Sequence, residues 1–283
     1  MRRSIVISVV MVLCVLGLLL FGFGAETEVP AAPPGPVVLL VEDDTGAFLL
    51  QVKQGAQQAA AQAGCTLTQE PLSGETLAET AQRWSQRKAT AALLLTEDAV
   101  LRAEAEAALD AVGVPVVVLR DEETRTVYAA MDERQAGMLL ADFAKAYGRV
   151  YLVGDAPQRL EGALSALRQE QAVTEGNALP APGEDACVVA LTGKETRRLA
   201  AMREAGELTA RLVGMDPGEE RVQLIAEGAV DALAVETPYA LGYMAMQMAL
   251  SGETEACLLP YKLVVPSEMY DAKNVKLMFP LLH

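Results

Sequence analysis

The sequence predicts an α/β protein: two similar lobes of parallel sheet flanked by helices, preceded by an N-terminal hydrophobic helix. Three observations carry this expectation. The runs PVVLLV (36–41) and VPVVVL (114–119) are apolar without interruption, as suits strands buried on both faces. In the first half, the runs opening at Val37, Cys65, Ala91 and Val114 start about 23–28 residues apart, which leaves room for one crossover helix each time. The same rhythm resumes beyond residue 132, so a second lobe follows the first.

The elements can be justified in order. Val37–Val41 is a buried strand by pattern. Phe48–Ala63 has apolar residues at helical spacing and Gly64 as its stop. Cys65–Thr68 reads as a strand, Leu77–Arg87 as a helix and Ala91–Leu95 as a strand. Val100–Val112 is an Ala-rich helix closed by Gly113, followed by strands at Val114–Leu119 and Val127–Ala130. In the second half, helices are expected at Arg134–Tyr147, Leu160–Gln169, Arg197–Glu204, Val222–Glu227 and Tyr239–Leu250. Strands are expected at Val150–Val153, Cys187–Leu191, Arg211–Met215, Ala232–Val235 and Lys262–Val265.

Residues 5–23, IVISVVMVLCVLGLLLFGF, are apolar apart from Ser8, with Arg2 and Arg3 before them. Nineteen helical residues reach roughly 28 Å, close to a bilayer core. The two arginines place the body outside the cytoplasm. The run is longer than the h-region of a typical cleaved signal, yet Gly22-Phe23-Gly24 offers a cleavage site, so a membrane anchor and a signal peptide both remain open. Cys14 follows bulky Leu13 inside the run, which argues against lipid modification. Residues 29–36, VPAAPPGP, read as a stiff stalk or a disordered linker.

Composition narrows the function. The 283 residues carry a net charge of −15, and every acid lies beyond residue 25. Such a surface repels phosphate backbones, so nucleic acid is not expected as a partner. Hydrophobic residues make up 52% of the chain, enough for a large core, while aromatics are only 5%, so a site of stacked rings must be small. His283, the last residue, is the only histidine, which excludes Ser-His-Asp and Cys-His catalysis and multi-His metal sites within the chain. No cofactor and no enzymatic activity are expected. Cys65, Cys187 and Cys257 are isolated in or beside apolar stretches and read as buried thiols, with a Cys187–Cys257 disulfide as the alternative in an exported protein.

Four segments in order resemble the sugar-binding, ribose/galactose-type periplasmic solute-binding proteins, whose fold is shared with LacI-type effector domains. They are VVLLVEDDTGAFLLQVKQGAQQAAAQAGCTL, AVGVPVVVLRDE, YAAMDERQAGMLLADF and ARLVGMDPGEERVQLIAEGAVDALAVETPYALGYMAMQMALSGE. The tail YKLVVPSEMYDAKNVKLMFPLL resembles the family's C-terminal strand. Coverage is about residues 37–270. The resemblance implies the two-lobed periplasmic-binding-protein type I fold. The chain then divides into a leader (1–25), a linker (26–36), lobe I (37–131 with 237–259) and lobe II (132–236 with 262–283). With no helix-turn-helix segment before the body, a repressor is not expected.

The resemblance also implies a ligand cleft between the lobes. Its candidates are Asp43, Asp44 and Thr45 in the first loop, Phe48 as a ring that stacks on a sugar, Arg120 and Asp121 as a reversed Asp-Arg pair, and Arg159. Thr192 falls where the family often has Asn-Asp, Asp216 matches an acceptor of sugar hydroxyls, and Glu236 falls where the family often has Gln. Carboxylates and arginine suit this task because each holds two neighbouring hydroxyls in a fixed fork. Structural alternatives stand beside these roles: helix capping for Asp43, Asp44 and Asp216, core packing for Phe48, and a surface pair for Arg120 and Asp121. Hinges are implied near Asp132, at Thr237 and Pro238, and near Lys262. The interval 170–186 is Gly-, Pro- and Asn-containing and roughly twenty residues short of the family, which implies a lost lobe II helix and an altered cleft. Two functions follow as expectations: a solute receptor for a sugar or similar polar ligand, serving an ABC permease or a membrane sensor, or a membrane-tethered interaction protein with a degenerate pocket.

Overall fold

The computed structural model describes residues 34–42, 46–120, 127–167, 172–176, 178–181 and 185–279. The expected leader and most of the linker lie outside these residues. No helix among the described residues is long and apolar enough to cross a membrane. Residues from Pro34 onward form one compact unit.

The chain builds two six-stranded sheets. The first contains β1 (Val37–Val41), β2 (Leu67–Pro71), β3 (Ala91–Leu95), β4 (Val116–Leu119), β5 (Val127–Met131) and β11 (Cys257–Leu259), in the order β11-β5-β4-β3-β1-β2. All of its pairings are parallel, as in β1 with β3, where Val37 lies opposite Ala91. The second sheet contains β6 (Arg149–Val153), β7 (Ala172–Glu175), β8 (Ala186–Ala190), β9 (Arg211–Met215), β10 (Ala232–Val235) and β12 (Lys262–Val264), in the order β12-β10-β9-β8-β6-β7. Only β12 runs antiparallel to its neighbour. Strands β1, β4, β8 and β10 are buried at every residue, which explains their unbroken apolar runs.

Helices α1 (Ala47–Ala63), α2 (Leu77–Gln86) and α3 (Ala99–Asp110) connect strands of the first sheet. Helices α4 (Glu133–Ala144), α5 (Pro157–Ala166), α6 (Gly193–Glu204), α7 (Arg221–Ala226) and the short α9 (Val275–Met278) serve the second. Helix α8 (Pro238–Ser251) returns to pack on α1, β3, β4 and β5. The chain therefore passes between the sheets three times: from β5 to α4 at Asp132, from β10 to α8 at Glu236–Pro238, and from β11 to β12 through Pro260 and Tyr261.

The two lobes repeat one packing device. Helix α1 crosses α8 at Gly55 and Gly242, and α4 crosses α5 at Gly137 and Gly162. A methyl group on any of these glycines would overlap a carbonyl oxygen of the opposing helix: Tyr239 for Gly55, Val52 for Gly242, Arg159 for Gly137 and Arg134 for Gly162. Gly137 and Gly242 each sit four residues into the helix that follows an interlobe crossing.

Several boundaries differ from the pattern reading for identifiable reasons. The second strand begins at Leu67 rather than Cys65, because Gly64 adopts φ 70° and the Cys65 N–H bonds to the Ala60 carbonyl, closing α1. Strand β4 begins at Val116, since the Val114 N–H is spent on the Leu109 carbonyl of α3. Helix α6 begins at Gly193 rather than Arg197, because Thr192 caps it by accepting the Glu195 N–H at 3.2 Å. Strands β7 and β11 are additional to those expected; both are edge strands of three or four residues, too short for a readable period. No helix is present among the described residues between β7 and β8. Half-buried Leu179 packs instead on the core of that face. Cys187 and Cys257 lie on strands of different sheets, and Cys65, Cys187 and Cys257 are all free thiols, which excludes the Cys187–Cys257 disulfide alternative.

Candidate functional site

The carboxyl ends of β6, β8, β9 and β10 and those of β1, β3 and β4 carry the polar residues that the core excludes. Crevices outside strand carboxyl ends are where open α/β sheets bind ligands. Asp43, Asp44, Thr45 and Asp121 lie outside the described residues. The other six candidates are placed.

Arg159 stands in the first turn of α5, after β6 ends and Gly154 turns at φ 116°. Its Nε donates to Glu133 Oε2, and its Nη1 donates to the Leu191 carbonyl at 2.8 Å. Burial works against its charge, but Glu133 and Tyr261 together outweigh burial and raise the guanidinium further. Glu133 also accepts the Tyr261 hydroxyl at 2.8 Å. Burial, then the nearby Glu236 and Glu133 charges, push the Tyr261 phenol well up, so it remains a donor. The Tyr261 N–H meets Gln135 Oε1 at 2.9 Å, which ties the third crossing to the first helix of the second lobe. Asp132 caps that helix by accepting the Gln135 N–H at 2.8 Å, and its own N–H bonds to the Leu259 carbonyl.

Beside Arg159 opens a cleft of about 420 Å³, lined by Glu133, Asp155, Pro157, Gln158, Arg159 and Thr192. This volume falls within the usual range for small-molecule sites. Its lining mixes carboxylate acceptors with guanidinium and hydroxyl donors, the combination that a polyhydroxyl ligand uses, since each hydroxyl both donates and accepts. A groove of about 600 Å³ lies between the distal halves of α1 and α8, at Gln62, Met244 and Met248. It is at the opposite end of these helices from the strand carboxyl ends.

Asp216 follows β9 and is mostly but not fully buried. Its Oδ1 accepts the Gly218 N–H at 2.8 Å, and its Oδ2 pairs with Arg221 at 3.0 Å. It does not cap α7, whose N-cap is Glu220. Burial pushes its carboxyl up to about 6, with Arg221 and the Gly218 N–H opposing and Glu236 adding. Perturbed acids mark sites only in the right place. Asp231 makes the contrast: it precedes β10, at the far end of the sheet, and joins Arg203, Arg211 and the Leu212 N–H. Burial pushes it up, yet those partners hold it below the usual carboxylate range, as a structural pin.

Phe48, Arg120 and Glu236 come together. The Arg120 guanidinium lies 4.5 Å from the centre of the Phe48 ring. Nη2 reaches Glu236 Oε1 at 3.3 Å and Nη1 reaches Glu97 Oε1 at 3.1 Å. Phe48 is half-buried, packed against the core on one side and covered by Arg120 on the other. Glu42, at the end of β1, accepts the Thr96 hydroxyl at 2.5 Å. The residues that pattern reasoning missed are Glu42, Glu97, Glu133, Arg221 and Tyr261. Each joins the site through its pairing; Glu42, Glu133 and Tyr261 had a local signal, since each adjoins an expected residue, Asp43, Asp132 and Lys262. Among the described residues no cluster of His, Cys, Asp or Glu is arranged to hold a metal ion.

The fold is shared with solved structures. An ABC transporter solute-binding protein from Agrobacterium vitis, bound to α-D-tagatopyranose, superposes with a TM-score of 0.63 at 19% identity, covering 86% of this chain and 99% of that one. One from Bacillus halodurans with bound myo-inositol gives 0.62 at 16%, covering 87% and 99%. AraP, an arabinose-binding protein from Geobacillus stearothermophilus, gives 0.67 at 14%, covering 83% and 98%. No family model and no curated protein sequence matches the chain. The fold is therefore the two-lobed type I fold of ABC-transporter solute-binding proteins.

Proposed function

We propose that this chain is an extracytoplasmic solute-binding protein for a sugar or similar neutral polyol, delivering it to an ABC permease or a membrane sensor, with no catalytic step of its own. The observation that carries the reading is the cleft itself. Arg159, Thr192 and Glu133 line it, and Asp216 and Glu236 stand at neighbouring strand ends of the same lobe. Phe48 and Arg120 come from the other lobe. The solved structures of this fold hold tagatopyranose and myo-inositol, which are ligands of this chemistry. The crossings at Asp132, at Thr237 and Pro238, and beside Lys262 act as the hinge about which the lobes close. The apolar leader either anchors the body at the outer face of the membrane or is removed as a signal, leaving a secreted protein. The mass of the mature N-terminus distinguishes these two.

Thermal unfolding against tagatose, myo-inositol, arabinose and allose tests the reading. A ligand bound only by the native state adds about 2.7 kcal/mol at 100 times its Kd. We expect stabilisation by at least one of the four, reduced in Arg159→Lys, which cannot hold Glu133 and the Leu191 carbonyl in one fork. No stabilisation by any polyol or sugar overturns it. A second reading, a membrane-tethered interaction protein with a disused pocket, is favoured by one observation: Arg120 and Arg159 already have partners inside the chain.

A further inference from the structure

Arg120 differs from the other arginines beyond the strand carboxyl ends in what it joins. Arg159 and Arg221 are paired within the second lobe, with Glu133 and Asp216. Arg120 follows β4 of the first sheet and reaches Glu236, at the end of β10 of the second. It also holds Glu97, after β3, and covers Phe48, in the first turn of α1. Its backbone sits at φ 70°, a conformation uncommon outside glycine. Its N–H is fixed to the Ala129 carbonyl at 2.8 Å. A bulky residue held there, aimed across a cleft, is a strained position that its contacts maintain.

An aromatic face with two carboxylates is a cation site, and here the cation is the protein's own. The same ring face and the same Glu236 carboxylate are what a ring-shaped polyol would use, one for its apolar face and one for its hydroxyls. Guanidinium and ligand cannot hold both at once. We infer that Arg120 is an interlobe latch and an internal competitor: in the empty cleft it bridges the lobes through Glu236, and it admits only ligands able to replace it at Phe48 and Glu236. The competition rests on the polyol reading of the cleft, whereas the latch can be tested without any ligand.

The latch is tested on the full chain in detergent, with its four cysteines replaced by alanine and spin labels at Ala103 on α3 and Ala201 on α6, both exposed. Distances are measured for this background, for Arg120→Gln and for Glu236→Gln. We expect both variants to show longer, broader distances than the background. High salt should move the background towards them and leave Arg120→Gln unchanged, because a partly exposed ion pair is screened. Identical distances in all three overturn the latch. Calorimetry with tagatose, myo-inositol and arabinose tests the competition. Since such pairs contribute modestly, we expect Arg120→Gln to bind at least one of them about three- to tenfold more tightly than wild type. Equal or weaker binding overturns the competitor role and makes Arg120 an ordinary ligand contact. If neither wild type nor variant binds any of the three, the polyol reading fails, and the spin-label distances still decide the latch.

Discussion

Asp216 shows how one mostly buried carboxylate couples pH and stability. Its carboxyl is raised to about 6, chiefly by burial, from a reference value of 3.8. The folded state therefore binds a proton more tightly than the unfolded chain. The stability this proton supplies is complete below the unfolded value and is lost as pH rises through about 6. The group thus lowers stability by on the order of 2–3 kcal/mol between pH 4 and pH 7. Asp216→Asn keeps an acceptor for the Gly218 N–H and cannot titrate. We expect urea unfolding of wild type minus variant to show wild type losing ground by that amount between pH 4 and pH 7; a constant difference sinks the assignment. Position in sequence pointed to Asp216, as the acid that ends VGMD, but its partner was not legible. Arg221 lies five residues on, across a turn whose shape depends on Gly218 at φ 87°. Glu133 and Tyr261, 128 residues apart, carry no mark in the sequence that they meet at Arg159.

At the scale of elements, the strands were readable because burial on both faces leaves a direct trace in composition, as in β1 and β4. Of the four edge strands, β2 and β12 were readable and β7 and β11 were not. β7 has no buried residue, and β11 has three residues of which only Leu259 is buried, so little patterning separates either from the loop around it. The helix pairs were read as helices, but their glycines carried a message that helix propensity hides. Gly55, Gly242, Gly137 and Gly162 are unfavourable in helices by about 1 kcal/mol relative to alanine, yet here they let two backbones touch. Propensity alone would make Gly242→Ala stabilising. The geometry reverses the sign, because the new methyl would overlap the Val52 carbonyl and force α1 from α8. We expect Gly242→Ala and Gly137→Ala each to destabilise by about 2–4 kcal/mol in urea titration. Gly228→Ala serves as comparison: its φ is 73° and nothing lies within 4 Å of a new methyl, so its cost should stay near 1–2 kcal/mol. Equal losses at all three positions would show that close helix approach is not what these glycines supply.

Two sheets joined by three crossings invite the expectation of two independently unfolding bodies, and the packing argues otherwise. One continuous apolar cluster runs from Val37 and Leu93 of the first lobe, through Met131, Ala136, Leu241 and Tyr261 at the crossings, to Val150, Cys187 and Val213 of the second. The lobes also interleave in sequence, since β11 and α8 belong to the first lobe but are made after the second lobe is nearly complete. A chain that ended after β10 would leave the first lobe without its edge strand and without the helix that crosses α1. Local stability therefore depends on both lobes together. The single tryptophan gives a direct test. Trp84 is fully buried on α2, in the outer core cluster of the first lobe, which has no residue from the second. Its fluorescence reports the first lobe alone, while far-ultraviolet circular dichroism reports helices of both. We expect the two urea-unfolding curves to coincide in midpoint and slope, as for one cooperative unit. A fluorescence midpoint displaced from the dichroism midpoint would show that the shared cluster does not couple the lobes. The two lobes would then unfold as separate bodies.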